Sequence, residues 1–175
     1  MAIATSNLPK VMHGKEGYIF DLPVAAATHL YDGTLISQLT ATGGAVPYST
    51  ASSEHCAGIA QHEIDNSAGL IGAKRIRIET ARMANLANGA GADAFLDTDF
   101  IGAPVYATDD HVAAKTSGTN TRKPIGFFYG LEVDGRVRVF IDPVMARLYA
   151  ALAALTDTPA TADALRDNLV AKAAI

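Results

Sequence analysis

Across residues 17–141 short apolar-rich runs are separated by polar turn residues, and in the cleanest of them apolar and charged positions alternate with a period of two, the strand period because successive side chains leave on opposite faces. Tyr18-Ile19-Phe20 opens one run, Leu35–Leu39 forms a second, residues 58–64 a third and Arg75–Thr80 a fourth. Gly43-Gly44, Asp65-Asn66, Asn88-Gly89, Asp109-Asp110 and Ser117-Gly118 separate the runs, supplying the positive φ or side-chain turn bonds that chain reversals need. The last pair of runs, residues 125–133 and 136–141, flanks Asp134-Gly135, a composition that predicts a two-residue type I′ turn. In the returning run Val137, Val139 and Ile141 face one way and Arg136, Arg138 and Phe140 the other, so a one-residue slip would bury arginines. Many short, evenly punctuated strands predict a mainly β chain folded as a small barrel or sandwich.

The strand pattern occurs twice. Arg75-Ile76-Arg77-Ile78 is echoed by Arg136-Val137-Arg138-Val139, and Cys56-Ala57-Gly58-Ile59-Ala60 by Pro124-Ile125-Gly126-Phe127-Phe128. Asp32-Gly33-Thr34-Leu35-Ile36 matches Ile101-Gly102-Ala103-Pro104-Val105. The offsets are 69 and 68 positions at the glycines and 61 at the arginines, because the first copy carries a loop over residues 66–73 where the second has its tight turn. The expectation is therefore a small β-barrel built from two degenerate repeats, with halves at about 30–80 and 99–141 inside a domain at 17–142.

At Asp142-Pro143 the period changes. Asp caps a helix well and Pro suits its first turn, so a helix starts there. Val144, Leu148, Leu152 and Leu155 then form an apolar stripe suited to docking, and Thr156-Asp157-Thr158-Pro159 ends it. A second helix is predicted over about 161–172, with Leu165 and Leu169 inward and Arg166, Asp167 and Lys172 outward. Helices this short are marginal alone, so the 143–175 extension must lie on the barrel or on another subunit. Residues 1–16 lack a period, carry Pro9 and Gly14 as breakers, and read as an extended N-terminal arm.

Composition narrows the function classes. Apolar residues make up 49% of the chain, enough for a core, while charged residues are only 18%. A net charge of −4 argues against nucleic acid as a partner, and the one basic cluster, Lys74-Arg75 with Arg77, fits a solvated strand face. One cysteine leaves no intramolecular disulfide. The start is not a secretory signal and no apolar run approaches the roughly 20 residues that span a bilayer, so the reading is a soluble protein made in a reducing cytoplasm, with no membrane partner.

Catalytic chemistry is sparse. His13, His29, His55, His62 and His111 are scattered; His55-Cys56 with His62 comes nearest to a metal set, but on a strand the two histidines face opposite sides. Cys56 aligns with Lys123 or Pro124 of the second copy, which suits packing better than nucleophilic catalysis. No Gly-x-Ser-x-Gly and no phosphate-binding loop occurs, and Gly89-Ala90-Gly91 reads as a loop. Asp97/Asp99 and Asp109/Asp110 could be paired carboxylates or a calcium loop, but solvated turns suit them better. Tyr31, Tyr48 and Tyr106 are too dispersed for a sugar-binding platform. The expectation is no enzyme, no cofactor and no metal.

Gly33-Thr34-Leu35-Ile36, Ala57-Gly58-Ile59-Ala60 with Asp65-Asn66-Ser67, Gly102-Ala103-Pro104-Val105-Tyr106-Ala107-Thr108-Asp109, Pro124-Ile125-Gly126-Phe127 and Val137-Arg138-Val139 together resemble the small β-barrel head-decoration, or capsid cement, proteins of tailed bacteriophages. The resemblance covers roughly residues 17–142, and the stretch 161–171 resembles helical endings of other phage structural proteins. It implies a protein made in the host cytoplasm that sits on the outer capsid surface, commonly as a trimer, and stabilises the shell by bridging major capsid protein subunits. Within that expectation Ala2, Ile3, Thr5, Leu8 and Lys10 are candidate capsid contacts, because an extended arm can add to a strand edge. Leu148, Leu152, Leu155, Leu165 and Leu169 are candidate contacts between subunits. Other readings of the same pattern are a tail-tube, baseplate or minor head component, a carbohydrate-binding or adhesion module, and a small enzyme.

Overall fold

The computed structural model describes residues 17–51 and 54–156 and is mainly β. In chain order the strands are β1 (Tyr18–Pro23), β2 (Thr28–Leu30), β3 (Leu35–Leu39), β4 (Ala45–Pro47), β5 (Glu54–Ala60), β6 (Ile64–Asn66) and β7 (Arg75–Thr80). There follow β8 (Arg82–Asn88), β9 (Pro104–Ala107), β10 (Val112–Ala114), β11 (Pro124–Leu131) and β12 (Val137–Ile141), then one helix, α1 (Pro143–Thr156).

Two five-stranded sheets carry the molecule. The first has the order β1-β7-β5-β3-β4, and β2 pairs with β6 in a separate ribbon. The second is a closed barrel, β10-β8-β12-β11-β9, whose seam is the parallel pair of β8 with β10, Ala87 opposite Val112 and Asn88 opposite Ala113. All five barrel strands come from residues 82–141, so the barrel closes within the second part of the chain instead of drawing strands from both halves. In the first sheet a single parallel bridge, Val24 to Ala45, joins the end of β1 to the start of β4, and Ala25 N donates to Ala45 O at 3.0 Å.

Alternation explains these strands. In β7 Ile76 and Ile78 are fully buried while Arg75 and Arg77 face solvent. In β12 Val137, Val139 and Ile141 are buried and Arg138 and Phe140 are half-exposed. One core lies inside the barrel, where Phe95 stacks on Phe128 at 4.7 Å, and Leu35, Tyr48, Cys56 and Ile59 of the first sheet join it. A second core, with Leu22, Val24, Ile36, Ile76 and Ile78, belongs to the first sheet, and Leu30 of the β2-β6 ribbon joins it. Glu79 and Arg82 form a buried ion pair at the junction between β7 and β8, and Gln61 Oε1 accepts from Arg82 Nη1 at 3.0 Å.

Four expectations change. The strand expected over 58–64 is β5, which begins at Glu54 and ends at Ala60, and Ile64 opens β6 instead. The last hairpin turns through three residues: Gly135 N donates to Glu132 O at 2.8 Å, and Glu132 N to Arg136 O at 2.8 Å. Only Gly135 has positive φ there, at 81°, whereas a type I′ turn needs it at both central residues; the geometry is a type I turn closed by a glycine bulge. Asp109 and Asp110 are buried and not solvated, because Asp109 Oδ1 accepts from the backbone N–H of His111 (3.1 Å) and Val112 (2.9 Å) while Asp110 Oδ1 meets His111 Nδ1 at 2.7 Å.

The fourth change concerns α1. Asp142 caps it, accepting from Met145 N at 3.0 Å. The helix lies mainly on β11 and also touches β5 and β9. Its barrel side is built from Pro143 and fully buried Ala146, with Tyr149 edge-on to Phe127, and not from the leucine stripe. Small side chains let the helix axis approach the strand; Val144, Leu148 and Leu152 remain exposed. The helix predicted over 161–172 and the arm at 1–16 lie outside the described residues.

Candidate functional site

β1 lies at an edge of the first sheet, and its start is both apolar and exposed: Tyr18 by 77%, Ile19 by 50% and Phe20 by 39%. Phe20 sits two residues before buried Leu22 and opposite Ile78, so it continues the face that carries the second core. Beyond that core the face opens into a cleft of about 260 Å³. It is lined by Phe20 of β1, Gln38 of β3, His55, Cys56 and Ala57 of β5 and Thr80 of β7, together with Pro143, Val144 and Arg147 of α1.

The sequence shapes this place through a bulge. Between the pairs Ile36–Gly58 and Ser37–Cys56 the register of β3 and β5 shifts, leaving Ala57 as the extra residue. A bulge bends its strand and re-aims side chains. Here Cys56 is buried in the barrel core while it also borders the cleft.

Basic groups converge on the α1 side. His55 is held below the usual imidazole range, first by burial and then by the charges of Lys123 and Arg147. Burial also lowers Lys123; Arg147 adds to the effect and Glu54 opposes it. Lys123 donates to the carbonyl oxygens of Glu54 and, at 3.4 Å, of Ala51, tying the start of β11 to the start of β5. The Glu54 carboxylate accepts from Ser49 Oγ at 2.5 Å. Arg147 donates Nε to Pro143 O at 3.0 Å and meets no carboxylate among the described residues.

Cys56 is a poor nucleophile in this setting. Burial pushes the Cys56 thiol up to about 12, so it stays protonated at neutral pH. What the arrangement offers is recognition: apolar walls with a cationic rim. A second grouping, Asp109, Asp110 and His111, places three possible metal-ligand atoms within 4.8 Å of one another. Asp109 Oδ1 and Asp110 Oδ1 are already engaged in the turn described above.

Leu148 and Leu152 lie together on the open side of α1, exposed by 60% and 50%. Leu155 belongs to α1, but its side chain is outside the described residues, as are Leu165 and Leu169 entirely. Ala2, Ile3, Thr5, Leu8 and Lys10 are likewise outside them. His29 pairs with Glu63 at 2.9 Å and stacks on Tyr31, an ordinary surface contact. Sequence reasoning missed the cleft because residues 20, 38, 55, 80 and 147 meet only through the sheet order and the docking of α1. No helix among the described residues is long and apolar enough to cross a membrane. In the comparisons with known proteins no family model, no curated protein and no solved structure matches the chain.

Proposed function

We propose that this chain is a structural protein of a tailed-bacteriophage head that binds the outer capsid surface and stabilises the shell by bridging major capsid protein subunits. The observation that carries the reading is the agreement between its two sheets. Both run in one order when β1, β7, β5, β3 and β4 are laid on β8, β12, β11, β9 and β10. Gly33 N donates to Ala60 O at 3.0 Å and Ala60 N to Thr34 O at 2.9 Å; Gly102 N donates to Phe128 O at 2.8 Å and Phe128 N to Ala103 O at 2.8 Å. The Val24–Ala45 bridge sits where Asn88–Ala113 closes the barrel. These pairs support two degenerate copies of one β-unit, the architecture expected of a decoration protein.

Such a scaffold works by its surface. A protein that binds the intact shell and not its separated subunits stabilises the shell by mass action, and many symmetric copies multiply modest contacts. The exposed leucines of α1 are the surface for self-association, with a trimer as the favoured state, and residues 2–10 supply the capsid contact.

The test is co-sedimentation of purified protein with shells that lack it. The full chain pellets with shells, removal of residues 2–10 weakens pelleting with the β-sheet signal unchanged, and Leu148→Asp with Leu152→Asp lowers the molar mass by light scattering. A full chain that stays in the supernatant overturns the proposal.

A further inference from the structure

We propose that the cleft beneath the start of α1 is a peptide-docking site, taking an extended segment of a partner protein in which an apolar residue is followed by an acidic one. This deepens the reading above by naming the chemistry of the partner segment, and it stands on three features of the first sheet.

The first is the edge. Along Tyr18-Ile19-Phe20 no strand among the described residues pairs with the side of β1 away from β7, so its backbone groups on that side can receive an added strand. The second is size and lining. A volume of about 260 Å³ lies below the roughly 300–1,000 Å³ of small-molecule sites, and Phe20, Ala57 and Val144 give it apolar walls, which suits one large side chain. The third is charge. Arg147 lines the cleft without a carboxylate among the described residues, and its charge together with that of Lys123 acts on His55, on a chain whose net charge is −4. His55, which also lines the cleft, has a buried Nδ1 without a hydrogen-bond partner among the described residues.

Each feature constrains the occupant. The strand edge requires an extended backbone. The walls require one apolar side chain, and Arg147 requires a carboxylate close to it, where a planar guanidinium forms paired, charge-assisted hydrogen bonds.

The experiment is selection of a displayed random hexapeptide library on the full-length protein. The expected result is enrichment of sequences with a large apolar residue next to Asp or Glu. Against Arg147→Gln and Arg147→Glu the selected peptides bind at least about tenfold more weakly. Against Val133→Asp, exposed in the last hairpin and outside the cleft lining, their affinity holds. Far-UV circular dichroism and the thermal midpoint of each variant establish that it is folded. No enrichment, enrichment of charge-free or basic sequences, or equal binding by the folded Arg147 variants overturns the proposal. Acidic-apolar enrichment together with failure to pellet with shells would leave the cleft intact and sink only the capsid reading.

Discussion

Replacing Glu79 by Ala is expected to lower the stability of the protein by about 3–5 kcal/mol, because it strands a buried guanidinium. Glu79 and Arg82 are 4% and 7% exposed, and they sit where the first sheet passes into the barrel. Glu79 Oε1 also accepts from Gly17 N at 2.8 Å, so the same carboxylate anchors the start of β1. Arg82 holds Gln61 as well, which leaves it one neutral partner once the acid is gone. Denaturant titration gives the loss as a lower midpoint. The double variant Glu79→Met with Arg82→Met should be more stable than Glu79→Ala, since replacing both charges removes the desolvation cost with the attraction. A single-variant loss below about 1 kcal/mol would mean that the pair is solvated, as exposed pairs are.

Substituting Ala for Gly126 is expected to cost about 3 kcal/mol, the upper end of the overpacking range. A Cβ there would stand 2.0 Å from Phe140 O and 3.0 Å from Ile141 Cα, both backbone atoms of β12. Backbone cannot swing aside as a side-chain tip can, so the barrel would have to part between β11 and β12. Gly58 faces the equivalent obstacle, Glu79 O at 2.5 Å, with φ of 149° besides, and Gly58→Ala should be comparably harmful. Gly130→Ala is the control: nothing lies within 4 Å of its Cβ, although φ there is 140°. Its cost should be limited to backbone strain of order 1–3 kcal/mol. Thermal unfolding of the three variants ranks them, and a Gly126→Ala midpoint equal to that of the parent would contradict the close strand approach.

Legibility in the sequence followed the regularity of each strand. Arg75-Ile76-Arg77-Ile78 alternates exposed and buried positions, and the bounds of Leu35–Leu39 and Arg75–Thr80 match the expected runs. In β5 the bulge at Ala57 breaks the period, so the start of the strand at Glu54 carried no alternation to read. β8 buries Arg82 and Leu86 with mostly half-exposed positions between them, and Arg-Met-Ala-Asn-Leu-Ala-Asn gives no clean period. Asp-Gly fits a two-residue turn and the tail of a three-residue turn equally, and only the hydrogen bonds of Glu132 separate them. The helix start at Asp142-Pro143 was readable from its cap. Its packing side was not, because the leucines of the apolar stripe stay exposed and the described contacts come from Pro143, Ala146 and Tyr149.

The cleft was hidden for a different reason. Its walls come from β1, β3, β5 and β7 and its rim from α1, so no local window contains the set. Composition even concealed the basic rim, since a net negative chain gives no hint of where Arg147 and Lys123 gather. The burial of Asp109 and Asp110 was equally invisible: their turn chemistry could be read, but not that the turn lies under neighbouring chain.

The central claim is that this two-sheet scaffold serves by coating an assembled shell. Intact-particle mass spectrometry, with the copy number of this polypeptide per head, tests it most directly. The account predicts hundreds of copies per particle. A handful of copies would assign it to a tail or portal position, and none would contradict the account outright.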